Sequence, residues 1–244
     1  MNKIQLEDVI NEEKNIVIDK DCFISITNSN TKINFDIKKR SNVFVFISSS
    51  SLDIKISSSC DSIFNVFSIS STLLVNTYLN DSLNFKYIYS SINEEDNKYK
   101  ININHLGNNI NSNIISHGIN LKGDLVFDVN AIVPNNVYGV STNQDSKIIL
   151  EGGTGLIKPN LLVDTSEVEA NHSAYVGEFK EEDLFYLKSR GLDDNKSYGL
   201  LAKSFLMGPM DITYKERNII LDILKRYWRW KKWIEKIFLW LVVI

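Results

Sequence analysis

The apolar residues of this chain change their spacing between about Tyr175 and Lys180, and this change constrains the fold more than any other feature. Before it, segments such as Thr31–Ile37 alternate apolar and polar residues, which is the period of a half-buried β-strand. After it, apolar residues recur three or four positions apart, as in an amphipathic helix. The sequence therefore predicts an all-β core followed by a helical C-terminus.

The β region leaves three architectures open: a sandwich, a barrel and a parallel β-helix. Strand starts recur about every ten residues, which is typical of all three. Two features favour the β-helix. The chain has only 11 Gly and 3 Pro, fewer than tight hairpins usually need. Its breaks are rich in Ser and Asn, which bond locally to the backbone, and Asn tolerates left-handed geometry. Two strands then form one coil of about 20 residues.

Three regions follow from these patterns. Residues 1–14 are expected to form a short N-terminal arm, residues 15–178 the β core, and residues 179–244 a helical region. The first helix has an acidic start at Glu181–Asp183 and a left-handed closing residue at Gly191. A second helix is predicted at Asp194–Leu206, and a capping box from Thr213 to Glu216 opens a third.

Composition excludes several functional classes. The formal net charge is −3, so the chain as a whole has no field that attracts nucleic acid. Cys22 and Cys60 are too few and too far apart for a disulfide framework or a metal cluster. The charged N-terminus has no apolar run of the secretory type, which favours the cytoplasm.

The end of the third predicted helix is basic and aromatic, with Trp228, Trp230 and Trp233 between lysines and arginines. Its final apolar run, residues 237–244, is too short to span a bilayer, which takes about 20 residues. Docking onto a partner or onto the end of the solenoid is the main interpretation. An amphipathic anchor at a membrane surface is the alternative.

The residues around the change of period form a long motif. In order along the chain they are Glu167-Val168, Asn171-His172-Ser173-Ala174-Tyr175-Val176-Gly177, Glu181-Glu182-Asp183, Leu184-Phe185-Tyr186-Leu187 and Ser189-Arg190-Gly191. This run resembles the C-terminal signature of the SufB/SufD family, the scaffold subunits of the SUF iron–sulfur cluster assembly system. A match in order and spacing over this length is more specific than a short motif.

The resemblance implies a fold and partners. SufB/SufD proteins have a right-handed parallel β-helix core, and their C-terminal helices bind the ABC-type ATPase SufC. By resemblance, a SufC-like partner binds here through Phe185, Tyr186, Leu187, Arg190 and Gly191. SufD proteins also carry an N-terminal helical domain. Because the strands of this chain begin almost at once, we expect that domain to be missing or reduced to a short segment.

His172 is the main candidate site residue. Taken alone, a histidine at a strand end is more often structural than a ligand. The resemblance assigns it to the cluster-assembly interface that faces SufB, where neutral imidazole is a suitable iron ligand. Some family members have Cys where this chain has Ala170, and SufB-like members have a Cys near the position of Gly153. The chain is therefore SufD-like. It should not hold a cluster stably alone, because clusters need several thiolates, although a transient cluster fits a shared interface.

These observations predict a SufD-like scaffold subunit, which is not an enzyme, with a SufB-like partner and a SufC-like ATPase. The resemblance leaves a homodimer open. The alternative is a structural or adaptor β-solenoid with a membrane-surface or partner-binding amphipathic C-terminal helix. A solenoid enzyme acting on polysaccharide is disfavoured, because no groove of carboxylates is evident. His105 and His117 could bind metal only if facing coils bring them together.

Overall fold

The computed structural model describes residues 2–80 and 82–225. The chain divides into two compact units. The first holds Met1–Glu178 with Pro209–Asp211, and the described part of the second holds Phe179–Gly208 and residues 212–225. The described strands are β1 Asn2–Glu7, β2 Ile10–Ile18, β3 Cys22–Thr27, β4 Asn30–Ile37, β5 Ser41–Ser48, β6 Ser51–Ser58, β7 Ser62–Ile69, β8 Thr72–Leu79, β9 Asn84–Asn93, β10 Asn97–His105, β11 Asn111–Asn120, β12 Asp124–Val133, β13 Val140–Leu150, β14 Thr154–Val163 and β15 Val168–Gly177. The helices are α1 Glu181–Ser189, α2 Asp194–Met207 and α3, residues 214–225.

The first unit is a parallel β-helix. Odd-numbered strands form an eight-stranded sheet in the order β1-β3-β5-β7-β9-β11-β13-β15, and even-numbered strands form a seven-stranded sheet from β2 to β14. All pairs between neighbouring strands are parallel, as in the pairing of β11 with β13. Each coil therefore stacks on the one before, which confirms the β-helix and excludes the sandwich and the barrel. The right-handed winding stays a prediction.

The coils lengthen along the chain. Ser29 and Ser50, which occupy equivalent positions in two early coils, are 21 residues apart, close to the expected length. Ser112 and Thr142, which are paired in two late coils, are 30 residues apart. The later coils are longer because their strands contain ten or eleven residues where most early strands contain eight, and because their connections also lengthen.

Alternation along each strand fills the interior of the β-helix. Inward side chains such as Ile24, Val45 and Phe64 are fully buried. Phe64 stacks on Tyr87 of the next coil with ring centroids 5.9 Å apart. Burying each such side chain contributes about 1.5–3 kcal/mol, so the stacked interior is the main source of stability.

The expected N-terminal arm at residues 1–14 is instead the first coil. β1 pairs in parallel with β3, and its Ile4 and Leu6 pack against the core. The alternating run in β1 contains only these two apolar residues, so the sequence pattern there is too short to predict a strand. β2, an edge strand, has a register shift between Ile10 and Glu13 and several charged residues, both of which discourage edge-to-edge pairing with other chains.

One corner of the early coils is a stack of serines. Ser29, Ser50 and Ser71 each donate from Oγ to a carbonyl two residues back. Ser50 Oγ also accepts from the backbone N–H of Ser29 at 3.1 Å, and Ser71 Oγ accepts from that of Ser50 at 3.2 Å. The residues before these serines, Asn28, Ser49 and Ser70, have φ of 50°, 47° and 40°. The interpretation of Ser and Asn breaks as coil turns is confirmed.

The helices of the second unit begin and end as the sequence indicates. Asp193 caps α2 by accepting from the Lys196 backbone N–H at 2.8 Å. Gly191 follows α1 with φ of 88°. The Glu216 carboxylate accepts from the Thr213 backbone N–H at 2.6 Å, which confirms the capping box. The rings of Tyr198 and Phe205 form T-shaped contacts with Phe179 at centroid distances of 5.3 and 5.8 Å.

The basic and aromatic tail, including Trp228, Trp230 and Trp233, lies outside the described residues. The alternative function as an adaptor with a membrane-surface helix rests on that tail. Among the residues that the structure does describe, no helix combines the length and the hydropathy needed to cross a membrane.

The serine corner yields a stability prediction. Ser50→Ala removes the acceptor of the buried Ser29 N–H and one donor to a carbonyl. We expect the free energy of unfolding to fall by about 1–3 kcal/mol, the usual cost of leaving a buried group unpaired. Urea denaturation measures it. Ser51→Ala, one residue on and exposed, is the matched control and should change stability by less than about 0.5 kcal/mol. Equal effects of the two substitutions would contradict the role of the corner.

Candidate functional site

The candidate site lies in the last coil of the β-helix. β14 and β15 are the final strands of their sheets, and each pairs with a described strand on one side only. Consequently β15 has no fully buried residue, unlike its neighbour β13, and His172 at its centre is exposed. The structure thus places the main candidate residue at an open end of the solenoid.

Alternation decides which way His172 faces. Ser173 Oγ donates to the Asp145 carboxylate at 2.7 Å, and Asn171 donates to Asn143 at 3.2 Å, so these neighbours lie on the outer face of the sheet. His172 lies between them and belongs to the inner face. Val176, of the same parity as His172, borders the inward Gly155. His172 therefore lies above the interior of the β-helix.

Gln144 is the inward residue paired with His172 in the neighbouring strand. Its side chain is 2% exposed, and its Nε2 donates to the Asn160 carbonyl oxygen at 3.2 Å. Asn160 belongs to β14, so this bond crosses the interior and ties β13 to the edge strand of the other sheet. The buried side-chain amide of Gln144 therefore lies directly beneath His172 and forms the floor of the candidate site.

An ionic cluster on the outer face holds β15 in place. Asp145 accepts from Lys147 Nζ and from Ser173 Oγ, both at 2.7 Å, and His117 Nε2 lies 3.6 Å from it. Partial burial disfavours the charge of Asp145, but the hydrogen bonds from Lys147 and Ser173 outweigh burial and hold its pKa below the ordinary value. Asp145 thereby fastens the residue that follows His172.

The other two histidines do not form a metal pair. His105 points inward and is fully buried; its Nδ1 donates to the Ile132 carbonyl oxygen at 3.0 Å, and its Nε2 lies 2.8 Å from Ser112 Oγ. Burial lowers its pKa, partly offset by the bond to Ile132, so the ring is neutral. His117 lies on the outer face beside Asp145. Among the described residues, no group of three or more His, Cys, Asp and Glu side chains is placed to hold a metal ion.

The cysteines lie in earlier coils. Cys22 is buried in β3, and Cys60 follows β6, with its Sγ donating to the Ile37 carbonyl oxygen at 3.6 Å. No disulfide bond joins them. Neither belongs to β13, β14 or β15, so the candidate site has one imidazole and no thiolate among the described residues.

Helix α1 carries the residues expected to bind a SufC-like partner. None of its residues is fully buried. Phe185 and Tyr186 are 73% and 57% exposed. The Arg190 guanidinium lies 5.3 Å from the centre of the Tyr186 ring, and Leu187 is half-buried. The structure therefore brings Tyr186 and Arg190 together and exposes two aromatic rings on one helix.

Comparison with known proteins identifies the family. Residues 67–205, more than half of the chain, match the family described as "SUF system FeS cluster assembly, SufBD core domain". The chain belongs to the SufBD core domain family. The prediction from the motif around His172 is thus confirmed, and the matched SufBD segment extends from β7 through α2.

Three curated relatives show how far the SufBD likeness reaches. A SufBD family protein of Pyrococcus horikoshii is 28% identical over 96 residues, 36% of this chain and 22% of the relative. The iron–sulfur cluster assembly protein SufD of Bacillus subtilis is 28% identical over 117 residues, 46% of this chain and 26% of the relative. The chloroplastic protein ABCI7 of Arabidopsis thaliana is 32% identical over 96 residues, 38% of this chain and 19% of the relative. The matched segments thus cover about a quarter or less of these relatives.

Sequence reasoning missed Gln144 and the Asp145 cluster as parts of the site. Both belong to β13, one coil before His172, and their roles follow from register rather than from residue type. The available signal was the sequence spacing between Gln144 and His172, which is close to the length of one late coil.

The Asp145 cluster predicts a pH-dependent stability. Because the folded pKa of Asp145 is depressed, its stabilisation is present above the ordinary pKa of about 4 and is lost as the pH falls through the folded value. Asp145→Asn should therefore lower the melting temperature at pH 7 and lower it much less near pH 3. Calorimetry at both pH values measures this. Asp36→Asn, in an exposed pair with Lys38, should have little effect at either pH. A deficit in Asp145→Asn that stays constant with pH would contradict the assignment.

Proposed function

We propose that this chain is a SufD-like scaffold subunit of an iron–sulfur cluster assembly complex. The observation that carries the proposal is the exposed imidazole of His172, above the interior of the open last coil and within the SufBD core match. The likeness to a relative named as the SufD of Bacillus subtilis supports the assignment to the SufD side of the family.

The open end suits a second β-helix as partner. The outer edges of β14 and β15 leave a row of backbone groups without strand partners in the described chain, and such edges favour strand pairing. Exposed apolar side chains flank these edges, with Leu156 47%, Leu162 53% and Tyr175 40% exposed. A SufB-like subunit that covers this end buries these groups and places its own ligands opposite His172.

The chemistry also requires a partner. An iron–sulfur cluster is held mainly by several thiolates, whereas this site offers one imidazole among the described residues. The cluster is therefore cargo built at a shared interface, with thiolates supplied by the SufB-like subunit. In this proposal the chain is not an enzyme, and ATP hydrolysis belongs to a SufC-like ATPase.

Helix α1 is the proposed attachment point of that ATPase. A helix that buries none of its residues yet exposes Phe185 and Tyr186 has the aromatic composition of an interface hot spot. Arg190 against the Tyr186 ring orders the face that a partner would contact.

Complex formation and cluster assembly test the site. The chain is co-expressed with SufB-like and SufC-like proteins, and co-purification is followed by size exclusion. We expect a stable complex that survives His172→Ala but assembles at least about tenfold less cluster on reconstitution, since the loss of even outer-shell partners costs that much. Failure of the wild-type chain to form any complex would overturn the scaffold proposal.

The ATPase surface has its own test. Phe185→Ala should weaken binding of the SufC-like protein about tenfold or more, as expected for an exposed aromatic anchor. Isothermal calorimetry measures the affinity. Leu200→Ala, which removes a 47% exposed side chain from α2, is the matched control and should change affinity less than about threefold. Equal losses for the two variants would place the binding surface elsewhere.

A further inference from the structure

One column of inward side chains turns polar as it approaches the open end. Register through the odd-numbered sheet stacks Val43, Phe64, Tyr87, Ile114, Gln144 and His172 in successive coils. The first four are fully buried and apolar or aromatic. The fifth residue, Gln144, places a polar amide in an otherwise apolar stack, directly beneath the exposed imidazole of His172.

The two polar atoms of the Gln144 amide, Nε2 and Oε1, differ in their hydrogen bonding. Nε2 donates to the Asn160 carbonyl oxygen, and because a carbonyl can only accept, this bond fixes which end is nitrogen. Oε1 is buried and has no hydrogen-bond partner among the described residues. An unpaired buried acceptor is destabilising, so its presence calls for a donor.

His172 is the residue best placed to supply that donor. Paired residues of neighbouring strands lie about 4.8 Å apart, and Gln144 and His172 are paired on the same inner face. Asp145 and Lys147, next along β13, have the opposite parity and face outward. Ser146 is also inward, and its own hydroxyl has no hydrogen-bond partner among the described residues. It lies two positions along the same strand, about 6.8 Å from Gln144, and is therefore farther away than the paired His172.

We infer that Gln144 is a positioning residue for His172. Its Oε1 accepts a hydrogen bond from one ring N–H of His172, which fixes the tautomer and the rotation of the imidazole. The second ring nitrogen, carrying the lone pair, is then presented at the open end. This inference rests on the proposed function for the identity of the ligand, which is iron of the nascent cluster.

The physical reason is general to histidine ligands. Neutral imidazole has one N–H and one lone pair, and which nitrogen binds is set by the hydrogen bond of the other. Metal-binding histidines usually donate their second nitrogen to a carboxylate, carbonyl or water. Gln144 fits this role better than a flexible surface group, because its bond to Asn160 anchors it.

The tautomer of His172 is the direct test. The full chain is labelled with ¹⁵N-histidine, prepared without metal, and studied by NMR at about pH 8 to observe neutral imidazole. His172→Ala assigns the signals. In the wild-type chain we expect one tautomer of His172. In Gln144→Met, which keeps the size and removes the acceptor, we expect averaging between two tautomers.

Two further variants separate positioning from packing. Gln144→Glu keeps an acceptor but loses the bond to Asn160, so the single tautomer should persist. Ser146→Ala removes another buried inward oxygen opposite Ala174, so the His172 signals should stay as in the wild type. Averaged tautomers in the wild-type chain, or one tautomer in Gln144→Met, would overturn the inference. The wild-type measurement decides even if Gln144→Met fails to fold.

Cluster assembly then distinguishes this inference from the proposed function. In the complex with its partners, Gln144→Met should reduce cluster yield about tenfold without reducing complex formation. If the wild-type chain shows a single His172 tautomer but His172→Ala assembles cluster normally, the proposed function is overturned and the hydrogen bond to Gln144 is still supported. Reduced assembly in His172→Ala with freely averaging wild-type tautomers would overturn the role of Gln144 alone.

Discussion

Parallel pairing between successive coils is the constraint on which the β-helix depends. Each inner strand satisfies its backbone on the coil before and the coil after it, and each inward side chain stacks on its counterpart one coil away. The strands of the last coil cannot pair in this way on both sides. There β14 and β15 have a described neighbour on one side only, so the end that presents His172 has backbone groups without strand partners in the described chain.

The same stacking explains how a polar site can sit on an apolar core. A substitution in one coil meets only the coils beside it, so the column containing Phe64 can end in Gln144 and His172 within two coils. On the outside, the column around Asp145 changes independently because alternate residues face opposite ways. One strand, β13, therefore supports both the floor beneath His172 and the outer cluster that fastens Ser173.

The sequence could predict the features of this structure that depend only on residues close together in the chain. Alternation marked the strands, Ser and Asn marked the corners, and Thr213 with Glu216 marked the start of α3. The long motif around His172 led to the correct family. The first coil was missed because only Ile4 and Leu6 mark the alternation of β1, and the charged run Glu12-Glu13-Lys14 fills the middle of β2. Gln144 was missed because its importance comes from a neighbour one coil away, and register between coils cannot be read until their lengths are known.

The serine corner has a consequence for how such a chain can evolve. Ser29, Ser50 and Ser71 recur every 21 residues, and each coil offers the next the same hydrogen bonds that it receives. If a coil of that length were duplicated or deleted, the coils on either side could form the same hydrogen bonds at this corner. The hydrogen bonds of this corner therefore set no limit on the number of early coils, whereas the longer late coils around Gln144 and His172 have no equivalent copy. The early coils are thus structurally equivalent units, whereas the site at the other end depends on particular residues in particular coils.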